Sequence, residues 1–237
     1  MSSPKEETFV AHLEALRAVL IRCLLALAVG IVPIFFITPY LMDMLIKVMM
    51  QNNDIRLNFF SPMEVFMLEV KMALVLDIVV CFPYMAKQMW GFIVPGLYEN
   101  ERRFVQSIVL SSSLLFIAGV LFCLFFILPL VVRFGLSFAS EHIQAMFGIS
   151  QMITLALWLS VVFGIMFQFP LVSFALIRFD VVDYETMKSK RAFVLVGILV
   201  MSALLTPPDI VSQLMLTLPT YGLFEIGLFL GRKRKDN

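Results

Sequence analysis

The stretch from Phe104 to Val132 reads FVQSIVLSSSLLFIAGVLFCLFFILPLVV and contains no charged residue. A helix of about 20 apolar residues spans the ~30 Å hydrocarbon core of a bilayer. Backbone groups cannot stay unpaired in lipid, and a helix pairs all of them within its own segment. This stretch therefore predicts a transmembrane helix, one that is longer than a single crossing requires.

Five further apolar runs flank this stretch, and short charged connectors separate them. Hydrophobic residues make up 61% of the 237-residue chain, above the ~45–50% that is usual for soluble domains. We therefore predict an all-α polytopic membrane protein with six transmembrane helices in a single domain, residues 1–237. The predicted spans lie at about 19–39, 67–86, 106–130, 150–177, 192–208 and 210–230. The fifth run is short, and Pro207, Pro208 and Asp209 predict a tight turn that makes the last two helices a hairpin.

The basic residues predict the orientation of these helices. Six spans put both termini on one side of the membrane, and 14 of the 18 Lys and Arg residues fall on that side. The other four are Lys47, Arg56, Lys71 and Arg133. Cytoplasmic loops carry the excess of Lys and Arg, so both termini are predicted to be cytoplasmic.

Charge, cysteine placement and motif content argue against several functions. The formal net charge of +1 gives no electrostatic basis for nucleic-acid binding. Cys23, Cys81 and Cys123 lie inside apolar runs and lack the spacing of a metal site. No P-loop, HExxH, GxSxG or CxxC motif occurs, and His12 and His142 fall on opposite sides in this topology. We therefore predict no enzyme, no catalytic residue, no metal site and no cofactor.

An amphipathic segment precedes the first span. Its apolar residues recur at helical spacing: Phe9, Val10, Leu13, Leu16 and Leu20. Polar residues interrupt that apolar face, so the segment predicts a helix that lies on the cytoplasmic interface and continues into the membrane.

Polar side chains inside predicted spans are expensive in lipid and are therefore candidate sites. Glu69 and Lys71 lie near the outer end of the second span, where their long side chains can reach the interface. Glu225 lies about two turns from the cytoplasmic end and can pair with Arg232 or with a neighbour. Each of these three has a structural interpretation beside the functional one.

The remaining intramembrane candidates lie deeper. Asp77 is mid-span, and Lys71 is six residues away on roughly the opposite helix face. We expect Asp77 to face the bundle interior or a wet cavity, either neutral or hydrogen-bonded. Gln168 is mid-membrane and is either an interhelical hydrogen-bond donor or a group that lines a groove. Gln213, in the last span, is the sixth polar residue at depth.

The predicted cytoplasmic loop between the second and third spans is rich in aromatic and charged residues. It places Trp90, Phe92 and Tyr98 close in sequence to Glu99 and Glu101. Carboxylates accept paired hydrogen bonds from arginine, and aromatic rings stack on guanidinium groups. The loop could hold a cationic, partly apolar peptide, or it could be an ordinary interfacial aromatic belt.

At this loop the sequence resembles the TatC family, the core subunit of the twin-arginine protein translocase. The matching segments are WGFIVPGLYENERR at 90–103, HLEALR at 12–17, SPMEVF at 61–66, FGIMFQFP at 163–170, LTPPD at 205–209 and LFEIG at 223–227. They occur in the family's order and cover nearly the whole chain. The resemblance implies a receptor and scaffold that binds Arg-Arg signal peptides of folded proteins in a bacterial cytoplasmic (inner) membrane, with transport driven by the proton-motive force.

The resemblance also implies roles for individual residues. Glu101 matches the carboxylate that receives the arginine pair, Phe92 and Leu97 match the hydrophobic contacts beside it, and Glu99 could add a second acceptor. The other implied signal-peptide-binding positions are Arg17, Glu14 and Gln168. Thr206 and Gln213 match hairpin positions where a partner's transmembrane helix docks. The implied partners are TatA- and TatB-type single-span subunits, signal peptides, the lipid bilayer and further copies of this chain.

Three positions depart from the family pattern. Ala15 stands where the family's N-terminal Glu is usual and Glu14 precedes it, which turns the carboxylate by about 100° around a helix. Gln168 occupies a position that often holds Glu, and it can offer hydrogen bonds but no charge. Asp77 is atypical and could replace some of the missing intramembrane acidity. Together with Glu69 and Glu225, it leaves open a second function, a proton-coupled transporter of small solutes.

Overall fold

The computed structural model describes residues 4–50, 57–58, 61–93, 102–137, 147–179, 181–205 and 210–232. Nine α-helices, one π-helical turn and two short strands occur in these ranges. In chain order they are α1 (Pro4–Met50), β1 (Leu57–Asn58), α2 (Pro62–Ile93), α3 (Arg102–Phe122), the π-helical turn (Cys123–Ile127), α4 (Leu128–Leu136), β2 (Phe147–Gly148), α5 (Ile149–Met166), α6 (Phe169–Arg178), α7 (Tyr184–Ser189), α8 (Arg191–Leu205) and α9 (Ile210–Arg232).

The all-α polytopic fold class predicted from the apolar runs is confirmed. Four described segments are long and apolar enough to cross a membrane: His12–Lys47, Gln106–Leu136, Ile149–Arg178 and Gln213–Arg232. They correspond to the first, third, fourth and sixth predicted spans. The second predicted span lies within α2, and the fifth corresponds to α8, which ends at Leu205 with residues 206–208 outside the described ranges. The count of six crossings remains a prediction.

The two long apolar runs in the middle of the chain fold as interrupted helices. Pro129 has no N–H to donate to the carbonyl four residues earlier, and just before it the Leu128 N–H bonds to the Cys123 carbonyl, which gives the π-helical turn. The second interruption falls at Phe167 and Gln168, and Pro170 then occupies the first turn of α6. The predicted third and fourth spans are thus α3–α4 and α5–α6.

Helix α1 packs along α2, and α2 in turn packs on α3 and α5. The core between these helices contains Leu68, Met72, Leu128 and Ile153. Helix α9 packs on α6, where Gly227 allows a close approach because a Cβ there would overlap the backbone of Pro170. Two helix pairs contain most of the described predicted site residues. They are α1–α2 at the start of the chain and α8–α9 at its end.

Outside the helices, the two loops of the predicted outer face pair with each other. Strands β1 and β2 form a parallel ladder in which Leu57 pairs with Phe147 and Asn58 with Gly148. The mixed polarity of these loops predicts either short interfacial helices or irregular loops. Helix α1 continues to Met50, and the two short strands connect the loops. Residues 51–56 and 138–146 lie outside the described ranges, so the choice between helix and irregular loop stays a prediction.

Candidate functional site

The predicted signal-binding residues begin at the end of the α1–α2 pair that is predicted to be cytoplasmic. The His12 ring stacks on the Phe92 ring with centroids 4.4 Å apart and planes 27° apart. About three turns farther along α1, Arg22 Nη1 donates to Gln88 Oε1 at 3.5 Å. These contacts hold the HLEALR segment of α1 against the end of α2, from which the aromatic and acidic loop continues.

On α1, Glu14 and Arg17 are both exposed and form no ion pair with another described residue. The apolar residues Val10, Leu13 and Leu16 of the same segment are exposed as well. Their exposure fits an amphipathic helix on the membrane surface. The segment thus presents a cation and a carboxylate beside the stacked rings.

Four predicted site residues lie outside the described ranges. They are Leu97, Glu99 and Glu101 of the loop and Thr206 of the hairpin turn. Their roles stay predictions that rest on the resemblance. Phe92, near the end of α2, is the described site residue nearest in sequence to the three loop residues, and Gln213 is the described site residue nearest to Thr206.

Gln168 bonds to a neighbouring helix. Its amide Nε2 donates to the Ser112 carbonyl at 3.1 Å, and its Oε1 accepts from Ser112 Oγ at 2.7 Å. Nε2 is also 3.4 Å from the Gly164 carbonyl. Of the two alternatives for Gln168, the interhelical hydrogen bond is the observed one, because the break at Gln168 turns its amide toward α3.

Glu225 has its partners on α8 and within α9. Its Oε2 lies 2.8 Å from Arg191 Nη2, and its Oε1 accepts from Tyr221 Oη at 2.9 Å. The predicted choice was Arg232 or a neighbour, and the observed cation is Arg191, 34 residues earlier in the chain. Arg191 Nε is buried and has no hydrogen-bond partner among the described residues.

Gln213 fastens the hairpin from within. Its Nε2 donates to the Leu199 carbonyl of α8 at 3.0 Å. One turn later Thr217 Oγ1 donates to Ser202 Oγ at 3.1 Å, and both of these residues are buried. The amide predicted to meet a partner helix therefore already holds α8 to α9.

The charged residues predicted inside the second span, all on α2, occupy two different environments. Glu69 is partly exposed and Lys71 is exposed near the outer end, as expected for side chains that reach the interface. Asp77 is 1% exposed and faces α1. Its Oδ1 accepts from Cys81 Sγ at 3.3 Å, and no ion pair to Asp77 is present among the described residues.

Sequence reasoning did not assign a role to two residues of these contacts. Arg191 was counted only as a basic residue of the cytoplasmic side, and His12 only as part of a motif. A signal existed for Arg191, because it directly precedes an apolar helix while Glu225 lies inside the next one, and a hairpin brings such ends together. For His12 no local signal pointed to Phe92, which is 80 residues away.

Together, the long apolar helices define an integral membrane protein, and the candidate residues Phe92, Glu14 and Arg17 lie at one end of its α1–α2 pair. No cluster of three or more metal-binding side chains occurs in the part of the chain that the structure describes. Comparison with known proteins defines the class further.

A family model described as Sec-independent protein translocase protein (TatC) matches residues 11–219. The Sec-independent protein translocase protein TatC of Escherichia coli (strain K12) is 33% identical over 241 residues, covering 98% of this chain and 91% of that protein. The protein of the same name from Carboxydothermus hydrogenoformans is 31% identical over 229 residues, covering 96% and 94%.

Solved structures give the same result. A crystal structure of the twin-arginine translocase receptor TatC matches with a TM-score of 0.84 and 31% identity, covering 94% of this chain and 98% of that one. A second, of the receptor in DDM, matches with a TM-score of 0.85 and 31% identity, covering 93% and 99%. The chain is a protein translocase component. It belongs to the TatC family.

Proposed function

We propose that this chain is the receptor and scaffold subunit of a twin-arginine translocase, and that it binds Arg-Arg signal peptides at its cytoplasmic face. The contact that supports this most directly is the stack of His12 on Phe92. It brings together two segments that resemble the family's binding motifs and that lie 80 residues apart. Family membership supports the translocase part of the proposal.

In this proposal the guanidinium pair of the signal peptide binds Glu101, with Glu99 as a second acceptor. Phe92 and Leu97 contact the peptide's apolar side chains. Ionised carboxylates suit this role because arginine stays charged and its planar fork matches two carboxylate oxygens. Arg17 and Glu14 are exposed on α1 next to the His12–Phe92 stack, and they would contact residues that flank the pair.

Gln168 contributes differently in this proposal. Its amide is already hydrogen-bonded to Ser112, and it has no charge to attract a cationic peptide. We therefore assign Gln168 to holding α6 against α3, so that charge recognition falls to the cytoplasmic loop. Binding and assembly, rather than catalysis, are the activities proposed for the whole chain.

The proposed topology has six crossings in one domain, with both termini in the cytoplasm of a bacterium and the chain in its inner membrane. The excess of basic residues on one side supports it. A protease-sensitive tag at the C-terminus should resist protease added outside spheroplasts. Cleavage of the tag from outside would refute this topology.

The proposed partners are TatA- and TatB-type single-span subunits, docked near Thr206 and Gln213, and further copies of this chain in a larger complex. The Gln213 amide is used within the hairpin, so docking there would rely on its remaining acceptor and on Thr206. Single-span proteins should copurify with the chain in mild detergent. Transport should stop when an uncoupler collapses the proton-motive force, and continued transport would refute that energy source.

Crosslinking tests the receptor role. A photoreactive side chain at Phe92 should capture a twin-arginine precursor, and changing the precursor's Arg-Arg to Lys-Lys should abolish capture, because lysine keeps the charge but loses the fork. The matched control is the same probe at Met63, which is also exposed on α2 but at its other end. Equal capture of both precursors would refute arginine recognition at this loop.

Glu101→Lys gives an independent test of the same proposal. Reversing the charge should abolish export of a twin-arginine precursor while the protein still accumulates in the membrane. Undiminished export by this variant would show that the loop carboxylate does not hold the arginine pair.

A further inference from the structure

Asp77 occupies a site that the receptor role does not use. It lies in the middle of the α2 span and is 1% exposed. Across the contact with α1 it faces Gly30, where even a single Cβ would overlap the carboxylate oxygen Oδ1. The absence of a side chain at Gly30 therefore gives the carboxyl group its space, and α1 closes over it.

The hydrogen bonding of this carboxyl group is sparse. Cys81 Sγ donates to Oδ1 at 3.3 Å and lies 3.8 Å from the Ala26 carbonyl. A thiol is a weak donor. No other donor to the Asp77 carboxyl group is found in the described ranges. An ionised carboxylate at this position would therefore keep most of its acceptor sites unpaired.

No cation on the described parts of the neighbouring helices is placed to compensate the charge that an ionised Asp77 would carry. On α1 the nearest basic residue along the helix is Arg22, about 12 Å from Gly30 along the axis, and its guanidinium bonds to Gln88. On α2 itself Lys71 is exposed and on roughly the opposite face. The other two helices that pack on α2 contain no titratable residue between Gln106 and Phe122 or between Ile149 and Met166.

The remaining titratable groups near the contact are Cys23 and Cys81, Tyr40 toward the far end of α1, Glu69 in the first half of α2, and Tyr84 and Lys87 toward the end of α2. None of them forms an ion pair with Asp77 in the described structure. A charge at the bilayer centre is expensive. A carboxyl group that holds a proton carries no such cost and gains an O–H donor.

We propose that Asp77 is a proton-binding site inside the membrane domain, occupied while α1 and α2 are packed together. Release of the proton leaves a charge that only water or a cation can stabilise. Release therefore requires α1 to separate from α2 at Gly30, so that water or a cation can reach the carboxyl group. The same helix pair carries the His12–Phe92 stack at its cytoplasmic end. The site goes beyond the receptor role and does not depend on it.

Infrared spectroscopy of the full chain in a maltoside detergent, which has no ester carbonyl to absorb in the same region, tests the site. A protonated carboxyl group has a carbonyl stretching band that ionised carboxylates lack. We expect this band at neutral pH, and we expect Asp77→Asn to remove it. Glu225→Gln is the matched control, because Glu225 is another carboxyl group inside a predicted span but is paired with Arg191 and should contribute no such band.

A second measurement needs no substitution and covers the case in which Asp77→Asn fails to fold. Wild-type protein made with carbon-13-labelled aspartate should show the band shifted to lower frequency, whereas labelled glutamate should leave it in place. Among the other described aspartates, Asp43 and Asp183 are exposed to solvent. Absence of the band in wild-type protein, its persistence in Asp77→Asn, or a shift with labelled glutamate alone would overturn the proposal.

Discussion

The helix pairs α1–α2 and α8–α9 each bury a carboxylate in the membrane domain, but they stabilise it in different ways. Glu225 in the second pair has a cation and a phenol as partners, and its side chain and that of Arg191 are 32% and 40% exposed. Asp77 in the first pair is 1% exposed and has one thiol. The carboxylate of α9 thus has charged and polar partners and contact with solvent, whereas the carboxyl group of α2 is enclosed with one weak donor.

The largest effect is expected from closing the space above Asp77. Gly30→Ala adds a Cβ that would overlap the carboxyl oxygen and lie 3.0 Å from Cys81 Sγ. Overpacking costs ~1–3 kcal/mol, and we expect the upper end because a polar group is displaced. The measurement is the midpoint of thermal unfolding in detergent. Gly222→Ala is the control, since a Cβ there meets nothing within 4 Å; equal midpoints for the two variants would contradict the enclosure of Asp77.

A smaller loss is expected from breaking the pair in the hairpin. Arg191→Met leaves Glu225 without its cation, which costs ~3–5 kcal/mol for a fully buried pair. Partial exposure should reduce this to about 2 kcal/mol. The double variant Arg191→Met/Glu225→Leu should recover most of the stability in the same unfolding assay. If the double variant is no more stable than the single one, the charge pair is not what holds α8 to α9.

The hydrogen bond between Ser112 and Gln168 is a neutral contact with which the effects of the Gly30 and Arg191 variants can be compared. Ser112→Ala removes the hydroxyl that donates to Gln168, and we expect a loss of about 1 kcal/mol, the usual range for such bonds in membranes. Ser113→Ala is the matched control, because its hydroxyl bonds only to the Val109 carbonyl of its own helix. The two unfolding midpoints should differ by a few degrees, and identical values would mean that Gln168 does not stabilise the α3–α6 contact.

The smallest effect is expected at the exposed end of α1–α2. His12→Ala removes a stack of the kind worth ~0.5–1.5 kcal/mol, and exposure favours the low end. Capture of a twin-arginine precursor from the neighbouring residue Ile93 should fall about 2–5-fold on that energy scale. His12→Phe should restore capture, because it keeps the ring. Unchanged capture by His12→Ala would show that the stack does not position the binding residues.

The fold was largely predictable from sequence, whereas the partners of the polar groups were not. Long apolar runs have one stable form in lipid, so the helices follow from hydropathy alone. Interruptions at Pro129 and Pro170 follow from the missing N–H. The pairs Glu225–Arg191 and Gln168–Ser112 join residues 34 and 56 positions apart. Such pairs depend on how helices face each other, which no local pattern specifies.

The candidate site shows the same limit. Phe92, Glu14 and Arg17 were predicted through resemblance, and their positions at one end of α1–α2 agree with a shared role. His12 was missed as a contact because its ring partner is on another helix. The burial of Asp77 in the bundle was one of two predicted environments. Its partner Cys81 is one turn away, but a cysteine at that spacing does not by itself predict a hydrogen bond.

The parallel ladder between Leu57–Asn58 and Phe147–Gly148 has a consequence for counting membrane crossings. Two backbone segments that exchange hydrogen bonds lie side by side, so we expect an even number of membrane crossings between residues 58 and 147. Two long apolar helical stretches, α2 and α3–α4, occur in that interval within the described residues. This parity is independent of any charge count, and it favours the predicted crossing by α2 despite the acidic residues of that helix.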